Sequence, residues 1–260
     1  MLQQTDLATL PPELAKEIAE TEFVSMAYLA VISFVVMDTK RDPDYFSNHL
    51  LSCLSQDLLQ SAMSLHILVR EGVLNVARRE LRFLIEASVK IAAIQQRSYM
   101  TKIEAKVEAF KGEFSSSSIS IKKDIGLSLL PEAYRAPFLE EVGRLYGLTS
   151  QYVHLSPAQI TQSLEAFKSG ATAGKERPAD VREFNRTAER ALAASLVLLF
   201  HGVPYWVAGD WLVDGDGAGV GGHFMKSRFF AAMDEGFDYK HERQAKLGEV
   251  QAARLAAIKF

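Results

Sequence analysis

The chain has 260 residues, of which 48% are hydrophobic, and a formal net charge of −3. This composition is enough for one large domain with a sizeable core, and the nearly balanced charge excludes a globally basic nucleic-acid-binding protein. The single cysteine, Cys53, excludes an intrachain disulfide and favours a reducing, cytoplasmic compartment. The first 20 residues lack the basic-then-apolar order of a signal peptide, so we expect none.

The first predicted helix begins at Pro11-Pro12, because proline suits the first turn of a helix, and Thr9 is its expected N-cap. Its second half, Phe23 to Met37, has no charged side chain over 15 residues. That length is short for a membrane span and typical of a buried core helix. We interpret residues 1–41 as an N-terminal helical arm.

The next two helices are predicted to form a hairpin. Asp42-Pro43 is a cap followed by proline, and the helix that it starts should run to Arg70, with Gly72 as its stop. A second long helix follows this glycine. The predicted fold class is therefore all-α, a helical bundle built on a central hairpin of about 43–71 and 72–98, with C-terminal helices packed around it.

The second helix of the hairpin has one narrow polar stripe. At about 100° per residue, most of its circumference is apolar. The stripe comprises Asn75, Arg78, Arg79, Arg82, Glu86, Lys90, Gln96 and Arg97. A solvated face is the favoured interpretation. The alternative is a polar seam against another helix, with Arg82 and Glu86 paired one turn apart. Glu80 breaks the pattern, since it projects into the apolar arc and would need a partner if buried.

The second half of the chain is predicted to be helical as well. Pro131 opens a helix that continues toward His154, and a Gly/Ala-rich linker precedes another near Ala179. The stretch from Ala191 to Gly209 has no acidic or basic side chain apart from His201, which favours a buried core helix over a membrane span. We assign 42–212 to the bundle core. Residues 213–260 form a Gly-rich loop and amphipathic helices, and whether they belong to the same domain stays open.

Motifs for metals and cofactors are incomplete. Gly217, Gly219 and Gly222 have dinucleotide-fingerprint spacing, but no strand precedes them, so we expect a mobile loop. Asp214 and Asp216 resemble the start of a calcium loop without its later ligands. His49 and Cys53 lie one turn apart, which is too few ligands for a closed zinc site, and Cys53 is expected to be a core cysteine. No metal and no cofactor are predicted.

The best candidate for chemistry is His154, in the segment LTSQYVHLSP. A structural histidine bonded to a neighbour is the favoured interpretation. In the functional one, His154 meets Arg82 and Glu86 across the bundle, which makes these three the candidate catalytic residues. The candidate binding residues are Arg79, Ser150 and Tyr152.

Two spaced motifs carry a family resemblance. Arg79-x-x-Arg82-x-x-x-Glu86 is followed about 60 residues later by Tyr146-x-x-x-Ser150-x-x-x-His154. Over roughly 42–156 the chain resembles uncharacterised bacterial all-helical proteins likened to HEPN domains, which include RNA-cleaving toxins and phage-defence effectors. HEPN ribonucleases separate an arginine from a histidine by four to six residues, and no histidine of this chain has such an arginine.

The resemblance and the missing arginine together imply a non-enzymatic HEPN-like module, interacting or regulatory, in bacterial stress response or phage defence. Self-association, as a homodimer, or binding to another protein is expected. The net charge does not support RNA as a partner, and membrane association is disfavoured. The alternative function is a metal-independent endoribonuclease with His154 as general base and Arg82 or Arg79 stabilising the phosphorane-like charge.

Overall fold

The computed structural model describes residues 5–97, 99–113, 125–153, 156–168, 176–218 and 221–260. Across these ranges the protein is helical and has no strand, which confirms the predicted all-α class. The α-helices are α1 (Pro12–Thr39), α2 (Pro43–Ser47), α3 (Leu50–Arg70), α4 (Leu74–Arg97), α5 (Ile103–Glu113), α6 (Glu132–Ser150), α7 (Pro157–Lys168), α8 (Pro178–Gly202), α9 (Tyr205–Leu212), α10 (Arg228–Glu235) and α11 (Leu247–Ala257).

Four long helices form the centre of the bundle. α4 packs on α3 and on α8, α1 packs on the same two helices, and α6 covers α4 from outside. One hydrophobic cluster joins these helices to the C-terminal segment, since it contains Leu14 of α1, Ile85 of α4 and Phe230 of α10. The residues assigned to the arm, the bundle and the C-terminal segment therefore share a core.

Small polar residues connect three of the central helices. The hydroxyl of Tyr28 in α1 lies 2.7 Å from Oγ of Ser195 in α8, which lies 2.6 Å from Oγ of Ser88 in α4. All three side chains are buried, so this chain of hydroxyls satisfies groups that would otherwise lose hydrogen bonds to water. Burial also raises the pKa of Tyr28, which keeps its phenol protonated.

The long uncharged stretches occupy the interior to different extents. Every residue from Ala191 to Gly202 is buried. α8 ends at Gly202 because Pro204 follows, so the single core helix expected through Gly209 is divided between α8 and α9. α1 is the one described helix that is long and apolar enough to cross a membrane by length and composition, and half of its most apolar window is buried in the bundle. α1 begins at Pro12 with Pro11 at its N-cap, so the prediction of Thr9 as cap was wrong.

The first arm of the predicted hairpin is broken, which corrects the single helix expected from Pro43 to Arg70. α2 ends at Ser47 and α3 begins at Leu50, because His49 caps α3. Its Nδ1 accepts the N–H of Leu51 at 2.8 Å, and its Nε2 donates to the carbonyl of Gly202 at 2.6 Å. The turn between the two arms is as predicted, since Gly72 has a φ of +71°.

One further expectation about a single residue was wrong. Cys53 is exposed, so it is not a core cysteine. Both ring nitrogens of His49 are occupied by backbone groups, so the two residues do not form a metal site. Glu80 is half-buried and not enclosed in the apolar core, because α4 is only partly covered at that position.

The C-terminal segment is held by a buried ionic network of Asp234, Asp238, Arg243 and Arg254. Arg243 bonds both carboxylates and donates to the carbonyl of Leu212 at 2.6 Å. Arg254 bonds Oδ2 of Asp234 at 2.6 Å and both oxygens of Asp238. The network joins α10 and α11 to the end of α9.

The glycine-rich loop before this network is partly described, with Gly219 outside the described residues. Gly217 has a φ of +80°, and a Cβ there would lie 1.8 Å from the carbonyl oxygen of Glu242. Only glycine fits both constraints. Asp216 accepts from the N–H of Ala218 at 3.0 Å and pairs with Lys246 at 2.7 Å. These contacts give Asp216 a structural role in the loop.

Candidate functional site

The part of the α4 polar stripe from Arg78 to Glu86 faces the C-terminal end of α6, so a polar seam describes this part better than a solvated face. The guanidinium carbon of Arg82 lies 3.4 Å from the ring centroid of Tyr146. Its Nε donates to Oγ of Ser150 at 2.7 Å, and Nη1 pairs with Glu86. The predicted Arg82–Glu86 pair is therefore present, and Ser150 is brought to it from another helix.

Glu86 is neutralised from two sides. One carboxylate oxygen pairs with Arg82 and the other lies 2.5 Å from Nζ of Lys90. Burial opposes ionisation, but the hydrogen bonds from Lys90 and Arg82 together hold the pKa of Glu86 below its usual value. A carboxylate with a depressed pKa and two bound cations is a weak general base.

A second layer of the same seam involves Tyr152. Nε of Arg79 donates to its backbone carbonyl at 2.5 Å, while the guanidinium of Arg78 lies 4.6 Å from its ring centroid. Arg78 also donates to Oδ1 of Asn75 at 3.1 Å and to Glu183 at 2.9 Å. The exposed Arg79 therefore binds the backbone of Tyr152, and the buried Arg78 packs against its ring.

His154 lies outside the described residues, so its contact with Arg82 and Glu86 stays a prediction. The described part of the segment places Ser150 at the end of α6 and Tyr152 in the following turn. Of the predicted set, the structure brings Arg82, Glu86 and Ser150 together, and Arg79 and Tyr152 beside them. Chemically, this arrangement fixes the end of α6 to α4.

Two other histidines are buried and structural. His201 donates from Nδ1 to the carbonyl of Val197 at 2.7 Å and accepts the N–H of Leu129 at 3.1 Å. Burial lowers its pKa to about 4, and burial lowers the pKa of His49 to about 4 as well. Both rings are therefore neutral at physiological pH, with their nitrogens committed to the backbone.

Sequence reasoning missed several members of the seam. Arg78 and Lys90 were in the stripe but were not named as site residues, although Arg78 lies one turn before Arg82 on the same face. Tyr146 was part of the motif that suggested the family resemblance but was given no role, although its ring stacks on Arg82. Glu183 comes from α8. No spacing signal links it to α4, so only the tertiary structure reveals it.

Comparison of the chain with protein-family models, with curated proteins and with solved structures found no match. The function is therefore argued from the geometry of the described residues.

Proposed function

We propose that this protein is a non-enzymatic helical-bundle module that acts by binding a second copy of itself through α1. The observation that carries the proposal is a row of exposed side chains along this helix. The row, which we name the α1 seam, comprises Phe23, Met26, Ala30, Ser33 and Met37. These positions follow the alternating three- and four-residue spacing of a coiled-coil interface.

The α1 seam is apolar and accessible. Phe23 and Met26 are each 54% exposed and Met37 is 64% exposed. No charged side chain occurs between Phe23 and Met37. Surface helices usually place charged residues on the outer face, and a continuous apolar row typically marks an interaction site. The small residues Ala30 and Ser33 would let a partner helix approach closely.

Charge favours an antiparallel second copy as the occupant. The exposed Glu22 precedes the seam and the exposed Lys40 follows it. In an antiparallel pair, the Glu22 end of one copy lies beside the Lys40 end of the other, and Ala30 lies at the crossing. The 15-residue uncharged stretch is about 22 Å long, shorter than a hydrocarbon core of about 30 Å. This length supports a protein partner over a membrane span.

The contacts between α4 and the end of α6 support the non-enzymatic part of the proposal. We name them the α4 seam, which comprises Arg78, Arg79, Arg82, Glu86, Tyr146, Ser150 and Tyr152. The alternative endoribonuclease requires the guanidinium group of Arg82 or Arg79 to meet a phosphate. The Arg82 side chain is 11% exposed, stacks on Tyr146 and bonds Ser150 and Glu86. We therefore interpret these residues as fold determinants. A role in bacterial stress response or phage defence is part of this proposal through the family resemblance alone.

The oligomeric state of the full chain in solution tests the proposal. We expect a dimer by sedimentation velocity and light scattering at micromolar concentration, and a monomer with unchanged circular dichroism for Met26→Glu. The matched control is Leu255→Glu, which adds the same charge at a 73% exposed apolar position on α11 and should stay dimeric.

Three outcomes would overturn the proposal. The first is a monomeric wild-type protein across the concentration range. The second is a dimer that Met26→Glu leaves intact. The third is cleavage of RNA by the wild-type protein that is lost in a folded Arg82→Met variant, since this would establish catalysis at the α4 seam.

A further inference from the structure

A cluster of three potential ligands lies away from the α4 seam, where α1 and α8 meet the C-terminal segment. Glu20 projects from α1, Glu189 from α8 and His223 from the short 3-10 helix His223–Lys226. One carboxylate oxygen from each glutamate and one imidazole nitrogen all lie within 4.8 Å of one another. Glu189 is half-buried and His223 is buried, while Glu20 lies nearest the surface.

His223 provides an independent sign of a missing partner. Its side chain is 0% exposed, and Nε2 is a buried nitrogen without a hydrogen bond. Nε2 lies 3.1 Å from Oε1 of Glu189, but the contact does not have hydrogen-bond alignment. Edge-on contacts from Phe23 and Phe224, each with ring centroids at 5.3 Å, hold the imidazole in place. A buried nitrogen fixed in this way normally has a partner.

We infer that Glu20, Glu189 and His223 form a binding site for a divalent transition-metal ion, of which Zn²⁺ and Mn²⁺ are the best-suited examples. Two ligand atoms bound to one such ion, each at about 2.1 Å, lie about 3 Å apart when the angle at the metal is near 95°. The 3.1 Å separation of Nε2 from Oε1 matches this geometry. Two carboxylates also balance the charge of a divalent cation, and imidazole favours transition metals over Mg²⁺ and Ca²⁺.

Lys226 controls the tautomer of His223. Its Nζ lies 3.3 Å from Nδ1 of the imidazole. While the ammonium group donates to Nδ1, a neutral ring carries its proton on Nε2. Metal binding at Nε2 requires that the proton move to Nδ1 and that the ammonium group turn away. Lys226 is only half-buried and can reach solvent, so this exchange is sterically open.

The inferred site adjoins the α1 seam, because Phe23 contacts His223, but it does not require a second copy, since all three ligands belong to one chain. Its three ligands come from separate elements, so a bound ion would join α1, α8 and the C-terminal segment. Any ligand that binds only the folded chain stabilises it. At a free concentration 100 times the dissociation constant, the ion should raise Tm by about 5–10 °C for a chain of this size.

The test uses the full chain, treated with a chelator and dialysed, then titrated separately with Zn²⁺, Mn²⁺ and Mg²⁺. We expect calorimetry to show one Zn²⁺ or Mn²⁺ per chain at the site and Mg²⁺ to bind at least ten times more weakly. His223→Gln and Glu189→Gln should each abolish this binding and the rise in Tm. Lys226→Met should bind Zn²⁺ more tightly. Without the ammonium group, the His223 imidazole can carry its proton on Nδ1 and present Nε2 to the metal.

The matched control is His241→Gln, which removes an exposed histidine and should keep both the stoichiometry and the Tm rise. The inference is overturned if the wild-type protein binds no transition metal, or if binding survives in a folded Glu189→Gln variant. Should His223→Gln not fold, Glu189→Gln alone decides.

Discussion

The α4 seam and the C-terminal ionic network both pair arginines with carboxylates, but they do so at different depths. In the seam, the side chains of Arg82 and Glu86 are 11% and 26% exposed. In the network, those of Arg243 and Asp234 are 0% and 1% exposed. Both regions pair the same charged groups, and solvent access is the main difference between them.

Burial changes what the loss of one partner costs. A partly exposed charge that loses its partner can turn toward water, which replaces part of the interaction. A fully buried charge cannot, so its desolvation remains uncompensated. The network should therefore be far more sensitive to substitution than the seam, although the two resemble each other in a list of ion pairs.

The largest expected effect comes from Asp234→Ala. This change removes the more deeply buried of the two carboxylates that Arg243 and Arg254 share, in an interior where neither arginine can reach water easily. We expect the free energy of unfolding to fall by about 3–5 kcal/mol, measured by urea denaturation. Glu235→Ala, at the exposed neighbouring position, is the matched control and should change it by less than about 0.5 kcal/mol. If the two substitutions lowered the free energy of unfolding equally, burial would not explain the sensitivity of the network.

The second prediction concerns the pH dependence of stability, which we attribute to two buried histidines and not to the α4 seam or the C-terminal network. His49 and His201 have pKa values of about 4 in the folded protein, against about 6.5 when unfolded. The unfolded state therefore binds more protons between these values, and stability falls as pH drops from 6.5 toward 4. We expect a loss of about 2 kcal/mol per histidine between pH 7.5 and 5.

Denaturation at several pH values measures this loss. Glu86 and Asp238 have lowered pKa values, so these carboxylates of the seam and the network remain ionised at pH 5. His49→Gln should remove about half of the dependence, whereas His241→Gln, at an exposed histidine, should leave it unchanged. A flat stability profile over this range would show that neither buried ring resists protonation.

The smallest of the three effects is expected for Arg82→Met, which keeps an apolar chain over Tyr146 but removes the charge. The lost contacts are the stacking interaction, the Ser150 hydrogen bond and the Glu86 pair. We expect the loss of these contacts to lower the free energy of unfolding by about 2 kcal/mol, measured by thermal or urea denaturation. Arg79→Met removes one hydrogen bond from an exposed arginine and should cost less than about 1 kcal/mol. A loss for Arg82→Met as large as that for Asp234→Ala would contradict the comparison.

Local patterns in the sequence predicted much of the fold and part of the candidate site. The helical class, the stop at Gly72 and the Arg82–Glu86 pair all depend on residues within one or two turns. Other features depend on distant partners. The break before Leu50 requires a carbonyl at Gly202, and the role of Ser150 requires α6 to dock on α4. Glu20, Glu189 and His223 are separated widely in sequence, so no spacing rule brings them together.

The carbonyl of Gly202 links the packing of α8 to the break between α2 and α3. It lies at the end of α8, where a helix leaves backbone acceptors without intrahelical donors. His49 and Tyr45 donate to this carbonyl from the junction of α2 and α3, at 2.6 Å and 3.1 Å. The end of α8 cannot be dehydrated favourably before that junction arrives. These hydrogen bonds therefore couple the α2–α3 junction to the end of α8, 153 residues away, so we expect the two segments to fold cooperatively.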